Sequence, residues 1–580
     1  MTAALRDRDP VRLALLAVQA FLAAVLVLTL FLALVVPYHA TDALVYGQFS
    51  RWIGVEGGFL HDPVGFPPYS RPLFYVPQGW LWWLFGAHEW MGRLLSLAFF
   101  AVLLWSVFAV ARDRTLPPAA PWLAVLLLFA CPDVVLQAIA GQTDVPVAAM
   151  IALLAVLLWR APAGARTAAL IVVVAAAAVL AKATALPALA GLAAGMLLGD
   201  RAGLWDRVRR RLVPMAAGAA LGLLYGVLMA RHFGLALNEF LGGVAGPAST
   251  DPATGAAAVA TGEAPRPTAA ERVGTAVSAF TESERPAILL RVEWLGPYVR
   301  MLALFSLVYA AARVVAVPHR VAAAGALALG LLGYWVGPEV LAGGGSALDV
   351  SAGALAGSML LLVPLAGVVW CPPEQRAGRL LLARLLAWGI PPLIAWGLFG
   401  ILGDTRTLSP AWPALFALLG GVVAMGVAGL ATRRRPLAAA AIVLVLGLAV
   451  LDLRNYDGLG VRPDGSMSSL RALKALTPGT WFDPDAARAA ADPQLGGLVT
   501  GIRAAREPGA RVLTNDGRMV FFLLDDATVG QPPASCADLD GYGVLAVLLN
   551  VPEPFDATGF DCLEPVRVVP GSYAVYRVAG

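Results

Sequence analysis

The sequence predicts an all-α polytopic membrane protein of about thirteen transmembrane helices, with a small α/β domain at its C-terminal end. Three observations predict it. Hydrophobic residues make up 59% of the 580 and charged residues 14%, with mean hydropathy +0.74, against about 25% charged in soluble domains. Apolar runs close to the roughly 20 residues a spanning helix needs recur from Val11 to Leu453. The arginines fall in alternate loops between those runs, all on one side, as cytoplasmic loops require. So much apolar surface cannot be hidden in one core, since cores stop growing near 250–300 residues. This composition excludes an ordinary soluble enzyme, a disordered chain and a disulfide-framework secreted domain. The formal net charge of +4 gives no argument for a nucleic-acid partner.

The expected spans, in order, are Val11–Val36, Trp90–Ala111, Pro118–Leu136, Val145–Trp159, Thr167–Ala181, Ala185–Leu198, Leu212–Ala230, Tyr298–Val317, Val321–Val336, Ala352–Trp370, Leu380–Leu402, Ala411–Ala431 and Leu437–Leu453. The two flanking Lys182 are short, and one bent re-entrant unit is an alternative to two spans. With Arg6, Arg8 and Arg12 inside, the alternate loops hold Arg112 and Arg114, then Arg160 and Arg166, then Arg201 with Arg207, Arg209, Arg210 and Arg211. His319 with Arg320, Arg376 with Arg379, and Arg433–Arg435 continue on the same side. The expected localisation is therefore a cell membrane, multi-pass, with the N-terminus cytoplasmic. The first apolar run is too long for a signal-peptide core and no A-x-A-like site follows it, so it reads as retained.

This threading makes residues 1–453 a transmembrane domain with extracytoplasmic loops at 37–89 and 232–297, and residues 454–580 an extracytoplasmic domain. Within the second loop, Gly246–Ala269 is Ala/Gly/Pro/Thr-rich without apolar period and is expected to be mobile. The tail has Pro/Asp/Gly punctuation and strand-like runs at Arg511–Thr514, Met519–Leu524, Val544–Leu549 and Tyr573–Val578. Helical patterning at Ala486–Ala491 and Leu498–Arg506 precedes the first run. Cys536 and Cys562 both fall in the tail, and an oxidising compartment favours a disulfide over two buried thiols. Cys131 and Cys371 are expected at opposite membrane faces and cannot pair.

The first outer loop is unusually rich in chemistry. Asp42 and Tyr46 stand four residues apart, on one face of a possible helix with Thr41 at its N-cap. Trp52, Trp80, Trp82, Trp83 and Trp90 are five of the chain's 16 tryptophans, which suits helices lying flat at the water–lipid interface. A purely structural aromatic belt would explain the tryptophans, but not Asp42, Asp62 and Arg71 among them. Asp42, just past the first span, could act as a general base on an acceptor hydroxyl; a helix-capping aspartate is an even alternative. Asp144 lies in Gly141-Gln142-Thr143-Asp144-Val145-Pro146, where the chain re-enters the bilayer. Ionisable groups at that depth are costly and often functional, though Asp144 also suits a helix start followed by proline. Asp133 is a nearby competitor.

Only Lys182 and Lys474 are lysines among 42 Lys+Arg. Lys182 falls at an outer turn between two short spans, where a cation could hold a phosphate; a snorkelling lysine is the alternative. Arg406, in Asp404-Thr405-Arg406-Thr407-Leu408-Ser409-Pro410, is a second phosphate candidate, unless it serves only as partner of Asp404. His39, His61 and Asp62 could contribute to a divalent-metal site, but they show no ligand-spacing signature, and loop polar residues are the simpler reading.

The pattern Asp42-x3-Tyr46, then Tyr69-Ser70-Arg71-Pro72-Leu73-Phe74-Tyr75, then Leu84-Phe85-Gly86 and Arg93-Leu94-Leu95-Ser96, resembles the GT-C membrane glycosyltransferases of the protein-mannosyltransferase and aminoarabinose-transferase type. The resemblance is local to about Asp42–Ser96; elsewhere it is one of layout. It implies transfer of a sugar from a polyprenyl-phosphate-linked donor to a hydroxyl acceptor (lipid, glycan or protein) at the extracytoplasmic face, with inversion. It implies Asp42 as base, Asp144 assisting at acceptor or sugar, and Arg71, Lys182 and Arg406 on the donor phosphate. Tyr46 and Tyr75 complete the substrate-binding candidates, and the segment around Gly246–Ala269 is the expected gate. Two departures leave sugar and acceptor open: Asp42-Ala43 stands where the family often has Asp-Glu, and Arg71-Pro72-Leu73 where many members have Lys-Pro-Pro. Gly141-Gln142-Thr143-Asp144 is also similar to a motif of polyprenyl-phosphate-mannose-dependent lipid mannosyltransferases.

A polytopic transporter or lipid flippase is the rival reading. It would place charges at mid-depth, whereas these gather at one surface, and no internal repeat is evident. A membrane-tethered binding module, with the tail as its working part, is the third.

Overall fold

The computed structural model describes residues 9–35, 41–56, 72–141, 143–198, 203–232, 297–335, 378–398, 409–455, 489, 493–523, 526–549 and 554–579. Helices occupy every expected span that falls on these residues. They are α1 (Pro10–Val35), α2 (Thr41–Arg51, running into a π turn at Trp52–Glu56), α3 (Pro72–Phe85), α4 (Glu89–Ala111), α5 (Ala120–Phe129), α6 (Pro132–Ala140), α7 (Asp144–Trp159), α8 (Ala165–Ala181) and α9 (Ala185–Leu197). There follow α10 (Leu204–Arg207, with a π turn at Val208–Leu212), α11 (Val213–His232), α12 (Pro297–Val314), α13 (His319–Trp335), α14 (Arg379–Leu398), α15 (Trp412–Arg433) and α16 (Arg435–Asn455). Ala352–Trp370 lies outside the described residues, as do Gly246–Ala269 and Cys371.

Among the described residues, four stretches are long and apolar enough to cross a membrane by length and composition: Pro10–Leu34, Glu89–Ala111, Leu204–Met229 and Ser409–Arg433. One expected span is broken. Pro118–Leu136 divides into α5 and α6 because Cys131 is extended, with φ −85° and ψ 105°, and Pro132 opens a new helix. Proline cannot continue a helix from the preceding turn, but suits a first-turn position.

The core is built on α4, α5, α7 and α15, all lined with small and branched apolar residues. Gly420 makes the α5–α15 crossing possible: a Cβ there would overlap the backbone and Cβ of Ala124. On the outer helices, Val27, Leu28, Trp83, Leu84 and Val173 remain exposed, as lipid-facing surfaces require.

The arginine-bearing loops meet one another. Arg160 Nη2 lies 3.5 Å from Asp113 Oδ2, and Arg211 donates from Nη1 to the Leu157 carbonyl at 2.6 Å and from Nη2 to that of Ala161. Arg207 Nε donates to the Met196 carbonyl at 3.1 Å. Arg435 Nη1 stands 3.8 Å from Asp9 Oδ2. Loops that the charge pattern put on one side are neighbours in space.

The tail is α/β. Helix α17 (Pro493–Ala505) precedes a five-stranded sheet of order β2-β1-β3-β5-β4. Its strands are β1 (Val512–Thr514), β2 (Ala527–Val529), β3 (Val544–Leu548), β4 (Leu563–Val569) and β5 (Tyr573–Val578). β1 pairs in parallel with β2 and β3, whereas β5 pairs antiparallel with β3 and β4. One expectation is corrected: Met519–Leu524 is not a strand, because Met519–Leu523 forms a short helix, α18. The Asp516 carboxylate accepts from the Arg518 amide at 3.0 Å and its carbonyl from the Met519 amide at 3.0 Å, which turns the chain into a helical start. A five-residue apolar run carries no period that separates strand from helix. Cys536 and Cys562 form the expected disulfide.

Candidate functional site

Helix α7 starts at Asp144 because Gly141 reverses the chain in the left-handed region, at φ 70° and ψ 38°, which glycine enters without steric cost. Helix α8 stops at Ala181, and Lys182, extended at φ −169°, forms its C-cap. A two-residue turn then starts α9 at Ala185. Asp144 and Lys182 are thus carried by the ends of two neighbouring helices. At about 1.5 Å per residue, the 16 residues of α7 and 17 of α8 put them roughly 24 Å from Arg160 and Arg166 at the opposite ends.

There the two side chains meet. Lys182 Nζ donates to Asp144 Oδ1 at 2.7 Å, with side chains 10% and 4% exposed. Ser409 Oγ, wholly buried, approaches the same oxygen at 3.4 Å. Ser409 opens the 3-10 turn that leads into α15 and follows Arg406 by three residues, so the third distant stretch named from the sequence also arrives at this point. Two buried hydroxyls flank the pair, Thr143 Oγ1 before Asp144 and Thr184 Oγ1 after Lys182, and neither has a hydrogen-bond partner among the described residues. A buried polar atom left unpaired costs about 1–3 kcal/mol. An ammonium has three donors; Asp144 uses one.

Asp42 lies in the first turn of α2 and Tyr46 one turn on; their side chains lie outside the described residues, as does that of Asp133. Helix α2 packs on α3, which in turn reaches α4 and α8, the helix that ends at Lys182. Tyr75 is 2% exposed; its ring lies 5.4 Å from that of Phe49, tilted by 46°, and its carbonyl accepts from Ser50 Oγ at 3.1 Å. Arg71, Arg406, His39, His61 and Asp62 lie outside the described residues. Among those described, no group of three or more His, Cys, Asp or Glu residues is arranged to hold a metal. In α3, Trp80 and Trp83 are 60% and 71% exposed while Trp82 is buried and donates from Nε1 to the His88 carbonyl at 2.8 Å. That one-sided apolar face is the form of an interfacial helix.

Sequence reasoning paired Asp144 and Lys182 with a site but missed Ser409, Thr143 and Thr184 as members. A lone Ser or Thr beside a helix end reads as a cap, and only the absence of any capping hydrogen bond from Thr143 and Thr184 shows otherwise.

No protein-family model matches the chain, and no curated protein matches it. The chain is similar in arrangement to two solved structures. One is the crystal structure of ArnT from Cupriavidus metallidurans in the apo state, with TM-score 0.44 and 15% identity over 97% of this chain and 98% of that one. The other is the crystal structure of ArnT from the same organism bound to undecaprenyl phosphate, with TM-score 0.43 and 16% identity over the same shares of both chains.

Proposed function

We propose that the chain is a membrane glycosyltransferase that moves a sugar from a polyprenyl-phosphate-linked donor to a hydroxyl acceptor at the extracytoplasmic face. The observation that carries this reading is the buried Asp144–Lys182–Ser409 cluster, assembled from three stretches that the sequence nominated separately. The donor is a phosphodiester with one negative charge, and the leaving polyprenyl phosphate carries a second as the bond from phosphate oxygen to anomeric carbon breaks. Lys182, with Arg71 and Arg406, stabilises that developing charge. Asp42 takes the proton of the acceptor hydroxyl as its oxygen bonds to the anomeric carbon. Asp144 holds Lys182 in place and orients acceptor or sugar, and Tyr46 and Tyr75 line the substrate side. Helix α2 and the tail touch each other, which supports placing loop 37–89 and the tail on one side of the membrane, opposite the arginine loops. Residues 1–453 then form the transmembrane unit of about thirteen spans, and 454–580 the outer domain.

The test is release of polyprenyl phosphate by the purified full chain, offered undecaprenyl-phosphate-linked mannose and undecaprenyl-phosphate-linked aminoarabinose in turn. Asp42→Asn is expected to lower transfer by about 10²-fold or more while donor binding is retained, and Lys182→Met to weaken donor binding. Passage of intact donor across vesicles, unchanged in Asp42→Asn, would establish a carrier instead.

A further inference from the structure

The tail is seated on the helix that carries Asp42. Leu44 of α2 shares one buried cluster with Trp82, Met91 and the tail residues Leu498, Phe521 and Tyr573. Two turns further on, Arg51 Nη1 donates to the carbonyls of Phe521 at 2.6 Å and Phe522 at 3.2 Å, and its guanidinium carbon lies 6.0 Å from the Phe521 ring centroid. Those carbonyls belong to the last turn of α18, where a helix has no amides of its own to offer and carries partial negative charge. A charged donor there makes bonds about twice as strong as a neutral one. Beyond α18, Ala527 and Val529 of β2 pack on the cluster of Phe49, Trp52, Ile53 and Tyr75.

Contacts at positions 44 and 51 are about 10 Å apart along the α2 axis. A helix gripped at two such points cannot rotate or tilt freely. Asp42 stands two residues before the first grip, on the same helix. Nothing in the tail supplies a group to the Asp144–Lys182 cluster among the described residues, yet the tail's α18 and β2 are spent on α2 and its neighbours.

We infer that the C-terminal domain is a working part of the transfer site, and that Arg51 is its latch, a positioning residue that fixes α2 so that Asp42 meets the acceptor. This rests on the proposed glycosyl transfer. A displacement of about 1 Å at a reacting group costs on the order of 10²-fold in rate, so a loosened α2 should appear in kcat. KM for the donor should hold, because Lys182 and Asp144 sit on other helices.

The test uses the full chain in lipid nanodiscs, with Arg51→Ala and Arg51→Lys. Amide hydrogen exchange is followed in 41–51 and 519–523, with 144–159 and 573–578 as internal references. Polyprenyl phosphate release from the two undecaprenyl-phosphate-linked sugars gives kcat and KM. In Arg51→Ala, exchange should quicken about tenfold or more in 41–51 and 519–523 and not in the references, while kcat falls about 10–100-fold at unchanged donor KM. Arg51→Lys, which reaches one carbonyl, should recover part of both. Wild-type exchange in 41–51, or a raised KM at wild-type kcat, overturns the latch. Should Arg51→Ala not accumulate, Arg51→Lys decides, because wild-type exchange and kcat in it overturn the latch equally. If the unsubstituted chain releases no polyprenyl phosphate, glycosyl transfer falls, and the exchange comparison still judges the contact.

Discussion

Removing the Lys182 ammonium strands a carboxylate. At 2.7 Å, two unit charges attract by about 6 kcal/mol at an effective dielectric constant of 20, and both side chains have given up nearly all their water to meet. When one partner of such a pair is deleted, the other stays buried without compensation, at a cost of about 3–5 kcal/mol. Ser409 at 3.4 Å is too long a contact to replace the lost charge. Lys182→Met and Asp144→Asn should therefore each destabilise the folded chain by about 3–5 kcal/mol. The double variant, which strands no charge, should lose at least about 2 kcal/mol less than the sum. The measurement is a double-mutant cycle of denaturant unfolding followed by fluorescence of the 16 tryptophans. Additivity within about 0.5 kcal/mol, or losses near the 0–1 kcal/mol of exposed pairs, would refute the claim that the two charges hold each other in place.

Three further outcomes follow from the fold. Gly420→Ala should cost about 1–3 kcal/mol by overpacking, since the new Cβ overlaps the Ala124 backbone; Gly447→Ala, which meets nothing within 4 Å, should be neutral in the same unfolding assay. Cys536→Ser opens a disulfide spanning 26 residues of sequence and should lower the unfolding free energy of the tail by about 3–4 kcal/mol on loop entropy, read by tail-specific proteolysis. The Asp538 carboxyl is held below its ordinary value of 3.8 by the Ser535 amide, then by the Ser535 hydroxyl and Ala534 amide, and Asp556 likewise by the Thr558 amide and hydroxyl. A folded-state value below the unfolded one means stability present above about pH 4 and lost as pH falls through the folded value. Tail proteolysis should thus quicken below pH 4, and less so in Asp538→Asn.

The helices of the described residues were legible because lipid imposes one rule on every residue that faces it, and arginine placement grouped loops that prove to be neighbours. The ends of α4, α7, α8 and α9 fall within two residues of the apolar boundaries. Elements of the tail were less legible. Strands β2 and β4 escaped notice: Ala527–Val529 has three residues, and Leu563–Val569 places Glu564, Pro565 and Arg567 among its apolar ones. A strand of that composition is set by its partner, β5, rather than by its own pattern. Of the candidate site, the two charges were legible because ions at membrane depth stand out against apolar neighbours. Their mutual pairing was not, since Asp144 and Lys182 are 38 residues apart and Ser409 lies 265 from Asp144.

The way the helices end explains why the cluster sits where it does. Helix α9 has 13 residues, about 20 Å at the usual rise, too short to cross roughly 30 Å of hydrocarbon. The turn Lys182–Thr184 precedes it, and the start of α7 lies beside that turn, since Asp144 meets Lys182 there. At the start of α9 the Ala185 and Leu186 amides donate to the Lys182 and Ala183 carbonyls at 3.0 and 3.1 Å, and Pro187 has no amide, so the turn itself closes this helix end. Lys182 favours an anion beside it, and Asp144 is the one supplied by the chain itself. A phosphate drawn to Lys182 would have to share it with Asp144 rather than displace it, because the ammonium keeps two further donors. Site and scaffold are therefore not separable in this stretch: the turn that starts the short helix carries the ammonium that holds Asp144.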